Sequence, residues 1–247
     1  MDTDLDRARE AVAQAQHVHF FTGAGMSADS GIATYRDAET GVWENVDPTA
    51  LASIDSWAVR PDQMWAWYLW RAQLVNRAEP NAGHKAIADF ASTRPVTVTT
   101  QNIDNLHERG GFTDTVHLHG SLFDFRCCVC ARPWRGAVDF PEEPIERLTP
   151  PKCPLCKNLI RPGVVWFGEP LPHREWERAE DNMARADVVV IVGTSGVVQP
   201  AASLPLIAAH NHAFIIEVTR QPTELSSLSN VVLQGTAATV LPELLHQ

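Results

Sequence analysis

The sequence predicts an α/β fold: a doubly wound parallel sheet with a small metal-stabilised module and a helical insert. Three observations predict it. Short β-branched apolar runs recur along the chain without clean alternation, as expected for strands buried on both faces of a parallel sheet. Helix-forming stretches lie between several of those runs, and strand–helix alternation builds a doubly wound sheet. Two segments break the alternation, one rich in Trp and one carrying all five cysteines. The chain has 247 residues, enough to bury a large core as one domain, or as one large domain with an insertion.

Residues 4–16 place Leu5, Ala8, Val12 and Ala15 at helical spacing, so they read as a helix. His17-Val18-His19-Phe20-Phe21 follows as a short strand that runs into a glycine loop. Further strands are expected at Val96–Thr100, Thr115–His119, Val164–Phe167, Val188–Val192, Ala213–Val218 and Asn230–Leu233. Helices are expected at Asn81–Thr93 and Glu175–Ala186. Residues 31–80 hold Trp43, Trp57, Trp65, Trp67 and Trp70 and read as a loop followed by helices. Residues 121–160 hold the cysteines and a stretch around Pro141, Pro144, Pro150 and Pro151. They read as a small module inserted into the sheet domain.

Charge narrows the function classes. Twenty Lys+Arg against thirty Asp+Glu give a formal charge of −10. Binding dominated by nucleic-acid phosphates or anionic lipid needs a basic face, so neither nucleic acid nor a membrane is an expected partner. No apolar run reaches the 18 or more residues of a membrane span, and Met1–Glu10 alternates acids with Arg rather than forming a signal peptide. A cytoplasmic protein is expected.

Gly23-Ala24-Gly25-Met26-Ser27-Ala28 has the form G-x-G-x-x-A after a strand and can open a helix. Such glycines allow a tight turn and let backbone N–H groups approach a pyrophosphate. A plain strand-to-helix turn remains an open reading of the same residues. A dehydrogenase would need a second strand ending in an acid about 20 residues on. Here Ser30–Asp37 reads as a polar loop with Arg36 available to a phosphate or ribose, and the next strand begins near Val96. The pattern fits a dinucleotide but not the hydride-transfer architecture.

Ligands of open parallel sheets sit at the carboxyl ends of strands. Gln101, Asn102 and Asp104 follow such a strand and can hydrogen-bond ribose hydroxyls or a carboxamide, while Asn102 or Asp104 can equally cap a helix. In His117-Leu118-His119-Gly120, alternation puts both histidines on one face. A histidine at a strand end beside a glycine can act as a general base near neutral pH.

Cys127-x-x-Cys130 and Cys153-x-x-Cys156 can close four thiolates round one Zn²⁺, leaving no open position, so the metal would be structural. A redox Cys-x-x-Cys does not explain two pairs. Cys128 is left over.

Together these segments resemble the sirtuins, NAD-dependent protein lysine deacylases. The resemblance rests on GAGMSADSGIATYR (Gly23–Arg36), TQNID (Thr100–Asp104), HLHG (His117–Gly120), the cysteine pairs, RPGVVWFGE (Arg161–Glu169) and VGTSGVVQPAA (Val192–Ala202). It implies a Rossmann-like doubly wound parallel sheet with a smaller zinc-ribbon plus helical domain. On that reading residues 1–30, 81–120 and 161–247 form the NAD-binding domain, 31–80 a cofactor loop and helical insert, and 121–160 the zinc module.

The resemblance also implies roles. His119 resembles the base acting on the NAD ribose, and Asn102 its catalytic companion. Gly23, Ala24, Gly25, Ser27, Ile32, Thr34, Tyr35 and Arg36 resemble the first NAD-binding loop. Gln101, Asn102, Ile103 and Asp104 resemble the ribose and nicotinamide contacts. Gly193, Thr194, Ser195, Thr219 and Ala237 resemble the remaining NAD contacts. Val164, Val165, Trp166, Phe167, Gly168 and Glu169 resemble the segment that pairs with the peptide and lines the acyl-lysine tunnel. NAD would be consumed, yielding nicotinamide, free lysine and O-acyl-ADP-ribose.

Tyr68-Leu69-Trp70-Arg71 resembles a Tyr-x-x-Arg pattern found in one sirtuin subclass that prefers succinyl and malonyl groups, with Ala52 as a small residue widening the same pocket. The i, i+3 spacing puts both side chains on one helix face, where Arg can pair bidentately with a carboxylate and Tyr can donate to it. The bland reading is a surface Arg71 and a core Tyr68. Expected substrates are acyl-lysine proteins or peptides, with succinyl, malonyl and acetyl groups removed. Two departures stand out: Tyr35 where the family usually has Phe, and Thr219 where it often has Asn. Alternatives are mono-ADP-ribosyl transfer from the same NAD site, and a non-catalytic zinc-ribbon binding module.

Overall fold

The computed structural model describes residues 3–32 and 50–246. Its main sheet is made of six parallel strands in the order β3-β2-β1-β6-β7-β8. These are β1 (Val18–Thr22), β2 (Val96–Thr100), β3 (Thr115–His117), β6 (Val188–Val192), β7 (Phe214–Thr219) and β8 (Val231–Gln234). A second, antiparallel sheet pairs β4 (Gly120–Cys127) with β5 (Ile160–Val164).

The apolar runs form buried strands because helices cover both faces. Alternate residues of each strand serve opposite layers. Phe20, Val98, Val190 and Ile216 pack with α1 (Asp4–Gln14), α4 (Ala82–Ala91) and α8 (Ala237–Leu245). Phe21, Val189, Ile191 and Ile215 pack with α6 (His173–Arg185) and α7 (Leu204–His210). All five residues of β6 are buried, which is why that strand shows no alternation in sequence.

The third core joins the two segments that break the strand–helix pattern. Within residues 31–80, Ser53 caps α2 (Ile54–Val59) by accepting from the Ser56 N–H, and Pro61 opens α3 (Pro61–Arg77), where its missing N–H costs nothing. Trp57, Trp65, Trp67 and Leu69 from these helices share one buried cluster with Leu122, Cys127, Cys153, Ile160 and Trp166. Trp43 lies outside the described residues. The helical insert and the cysteine-bearing segment are therefore packed together rather than separately onto the sheet.

Three expectations need correction. The strand placed at Val164–Phe167 lies earlier, at β5, and belongs to the second sheet. Residues beyond Val164 are instead held by the insert, with Phe167 bridging Ser53 and its N–H donating to the Ala52 carbonyl at 2.7 Å. The strand placed at Thr115–His119 ends at His117. The glycine loop opens no α-helix but two single 3₁₀ turns, Ala24–Met26 and Ala28–Ser30.

Candidate active site

Strand order reverses between β1 and β6, so their following loops diverge and leave a crevice at the carboxyl ends, the usual ligand position in such sheets. A cleft of about 1610 Å³ opens there. The two loops that flank it touch through their backbones. A Cβ on Gly25 would lie 2.7 Å from the Gly193 Cα, and Gly193 itself has φ +58°. The glycines thus serve loop-to-loop packing as well as the turn that their spacing predicts.

Gly23, Ala24, Gly25, Ser27 and Ile32 line one side of the cleft. Gly193, Thr194 and Ser195 line the loop after β6, with Thr219 and Ala237 beyond them. Gln101, Asn102, Ile103 and Asp104 line the loop after β2. Thr34, Tyr35 and Arg36 lie outside the described residues. Asn81, which the sequence reading passed over, ties the glycine loop to the main fold. Its oxygen caps α4 at the Gly83 N–H, and its amide nitrogen donates to the Met26 carbonyl at 2.8 Å and to Ser30 Oγ at 3.1 Å.

The polar side chains cross-link the loops. Asn102 Nδ2 donates to the Gly23 carbonyl and to Ser27 Oγ, and Ser27 Oγ donates to Asp104 Oδ2 at 2.8 Å. Gln101 Nε2 donates to Thr194 Oγ1 at 2.8 Å. The Asp104 carboxylate also accepts the Leu106 N–H at the start of α5 (Leu106–Arg109), but the N-cap position itself is Asn105, so neither Asp104 nor Asn102 is the helix N-cap. Burial pushes the Asp104 carboxyl above its usual pKa, partly offset by the bonds from the Leu106 N–H and Ser27. Thr219 is buried and its hydroxyl donates to the Gln221 carbonyl. Arg220, exposed at the end of β7, lines the cleft beside it. The rule that ligands sit at strand ends points to Arg220 too.

The two histidines of His117–Gly120 part company. Gly120, at φ +73°, turns the chain from β3 into β4, and a Cβ there would lie 2.1 Å from the Gly163 carbonyl oxygen. His117 lies between the Asn102 carbonyl (Nδ1, 3.1 Å) and Glu108 (Nε2, 2.9 Å). Burial alone would lower its pKa, but the hydrogen bond and charge of Glu108, together with the Asn102 carbonyl and the Asp104 carboxylate, raise it. His119 lines the cleft, and its Nδ1 lies 2.8 Å from the Gln101 carbonyl oxygen. A carbonyl only accepts, which assigns the ring proton to Nδ1 and the lone pair to Nε2. Burial holds the His119 pKa below 6.5, partly offset by that hydrogen bond. The ring is therefore a neutral base at pH 7.

The same cleft has an aromatic wall. Ala52, Tyr68, Arg71 and Val164 through Glu169 all line the cleft. The His119 carbonyl accepts the Val165 N–H at 2.8 Å, so the histidine is tied directly to the 164–169 segment. Arg161, read in the sequence only as part of a motif, organises that segment. It is 1% exposed, pairs with Glu169 at 2.5 and 2.8 Å, donates to the Val164 carbonyl, and lies 3.4 Å over the Trp166 ring. Glu169 in turn accepts the Trp166 N–H. Tyr68 is buried and Arg71 partly so, with the guanidinium 4.9 Å over Trp67.

The four cysteines form a separate site, with all four sulfurs within 4.8 Å of one another. Cys127 and Cys156 sulfurs are 3.4 Å apart, and those of Cys130 and Cys153 are 3.8 Å apart. A tetrahedral ion with ~2.3 Å metal–sulfur bonds has sulfur–sulfur edges of ~3.8 Å, so the donor set fits Zn²⁺. Hydrogen bonds from Asn158 favour the Cys156 thiolate, with a pKa lowered to about 6. Cys128 lies outside this set.

Comparison with known proteins gives a consistent assignment. Residues 23–200 match the sequence model of the Sir2 family. The chain is 58% identical over 236 residues to NAD-dependent protein deacylase 2 of Corynebacterium efficiens, covering 94% of this chain and 93% of that protein. It is 46% identical over 230 residues to the NAD-dependent protein deacylase of Mycobacterium tuberculosis, covering 93% and 97%. Among solved structures, a Sir2 homolog–NAD complex superimposes with a TM-score of 0.89 at 40% identity, covering 99% of this chain and 93% of that one. Sir2Af2 bound to a myristoylated histone peptide gives 0.76 at 32% identity, covering 99% and 96%.

Proposed function

The chain belongs to the Sir2 family of enzymes, and on that premise we propose that it is an NAD-dependent protein lysine deacylase whose cleft accepts acyl groups ending in a carboxylate. One observation carries the reading: the neutral His119, the glycine loop and the Tyr68–Arg71 pair all line a single cleft. NAD, when bound, supplies an electrophilic ribose carbon with nicotinamide as leaving group.

The chain's own residues supply the rest. The loops after β1, β2 and β6 hold the nucleotide, with Asn102 and Asp104 nearest the reacting end. His119 Nε2 takes a ribose hydroxyl proton, while the Gln101 carbonyl holds the ring by Nδ1. Val164–Glu169 pairs with the peptide flanking the acyl-lysine. The four cysteines hold one structural Zn²⁺. The division into NAD-binding, insert and zinc segments remains part of this proposal, as does each residue's role. The charge of −10 favours basic sequence around a target lysine. An acidic acyl group then needs the local cation that Arg71 provides.

Among the described residues, no helix is long and apolar enough to cross a membrane.

The test of the acyl reading is kcat/KM on succinyl, malonyl and acetyl versions of one peptide. Hydrogen bonds to a charged partner are each worth about 1.5–3 kcal/mol, so Arg71→Met is expected to lower succinyl and malonyl turnover roughly 10–100-fold relative to acetyl. An equal fall on all three would contradict the carboxylate clamp.

A further inference from the structure

We propose that His117 is a positioning residue: its ring donates from both nitrogens as an imidazolium and fixes the backbone of the loop that carries Asn102 and holds His119. The inference rests on the reading that this loop serves the NAD reaction. It gives a task to the histidine of His117–Gly120 that does not line the cleft.

Both nitrogens of the ring face acceptors. Nδ1 lies 3.1 Å from the Asn102 carbonyl oxygen, and Nε2 lies 2.9 Å from Glu108 Oε1. A carbonyl only accepts, and so does an ionised carboxylate. A neutral imidazole has one N–H and would set its lone pair against one of these oxygens. The doubly protonated ring satisfies both. His119 faces the Gln101 carbonyl through Nδ1 alone, so one ring proton suffices there. Consecutive carbonyls of one loop thus hold two histidines in two protonation states.

The groups around the His117 ring favour its charge. Helix α5 supplies Glu108 and also His107, which burial holds uncharged, with its pKa well below 6.5. His84 of α4, its ring 5.0 Å from that of His107, is pushed down to about 4 by burial. The loop after β2 supplies the Asp104 carboxylate. On the other face of β3, Val116 packs into the layer formed with α6 and α7, where Arg178 is engaged by Asp114. Burial disfavours the imidazolium, but Glu108, the Asn102 carbonyl and Asp104 together raise the His117 pKa above 6.5.

Losing that proton leaves one donor for two acceptors. The ionised carboxylate is the stronger of the two, so the Asn102 carbonyl loses its hydrogen bond. Among the described residues, no backbone N–H donates to that carbonyl. The loosened stretch includes the Asn102 side chain, tied to Gly23 and Ser27, and the Gln101 carbonyl that holds His119. A raised folded-state pKa stabilises fully below the unfolded value of ~6.5, and the gain is lost as pH rises through the folded value. The loop is therefore tethered on the acid side of the His117 pKa and released on the alkaline side.

The experiment measures kcat/KM for NAD at saturating acetyl-lysine peptide from about pH 6 to 9, beside nitrogen NMR of the histidine rings. It compares wild type, His117→Asn, His117→Gln and Glu108→Gln. An Asn amide nitrogen overlays Nδ1 and donates to the Asn102 carbonyl without titrating. A Gln amide nitrogen overlays Nε2 and reaches toward Glu108 instead. Wild type is expected to show an alkaline limb whose midpoint matches the His117 ring titration, above pH 6.5. At the pH optimum, His117→Gln is expected to fall about tenfold or more. His117→Asn is expected to fall less than about threefold and to lose the alkaline limb. Glu108→Gln is expected to move both the limb and the ring titration to lower pH. If the His117 variants fail to fold, the wild-type titration and Glu108→Gln still decide. A His117 ring that titrates below pH 6.5, a limb that survives in His117→Asn, or equal falls for Asn and Gln overturns the inference alone. Absence of NAD-dependent deacylation in wild type overturns the proposed function, and the inference with it.

Discussion

His119→Ala is expected to lower kcat/KM by about 10²–10⁴-fold, the usual worth of a positioned general base, with the thermal unfolding midpoint near that of wild type. The side chain makes one described hydrogen bond, to the Gln101 carbonyl, while the His119 carbonyl still accepts the Val165 N–H in the variant. Little of the fold therefore depends on the ring. The pH profile gives a second readout. Burial disfavours the imidazolium and holds the His119 pKa below 6.5, so the base form persists as pH falls to 6.5 and is lost only below that. The acid limb of kcat/KM, which reports the free enzyme, is expected below pH 6.5 in wild type and absent in the variant's residual activity. Near-native turnover of the variant would overturn the role given to His119.

Cys153→Ser is expected to abolish stoichiometric zinc and unfold the cysteine-bearing segment. Apparent zinc-binding free energies of about 10–16 kcal/mol in small metal modules match or exceed the ~5–15 kcal/mol that stabilises a typical protein. Cys127 and Cys153 are almost fully buried in the same cluster as Trp65, Trp67 and Trp166. Loss of the tetrahedron therefore loosens the aromatic wall of the cleft, and activity falls with it. Cys128→Ser, which leaves the four-sulfur set intact, is expected to retain one zinc per chain. Metal analysis and thermal unfolding of the two variants decide this. Zinc retained by Cys153→Ser, or lost by Cys128→Ser, would contradict the ligand assignment.

Legibility in the sequence followed the range of the forces involved. Val188–Val192 could be read to the residue because a strand buried on both faces must be apolar throughout. The cysteine spacing was equally direct, since a tetrahedron restricts which residues can supply it. Val164–Phe167 misled because those apolar residues are covered by the insert around Ala52 and Ser53, not by a ladder of the main sheet. Periodicity carries no information about which distant segment does the covering. Alternation puts His117 and His119 on one face only while the strand continues, and the strand ends at His117, with a turn at residues 118–119 leading into the second sheet. The shared core of the Trp-rich helices and the cysteine segment, and the Arg161 stack on Trp166, are contacts of long sequence separation. Neither leaves a local pattern.

The most direct test of the central claim is product stoichiometry with wild-type protein, NAD and a succinyl-lysine peptide, followed by mass analysis. One nicotinamide and one O-succinyl-ADP-ribose for each lysine freed is the result expected. Peptide desuccinylated without NAD consumption, or ADP-ribose attached to protein in place of a small-molecule ester, would contradict it.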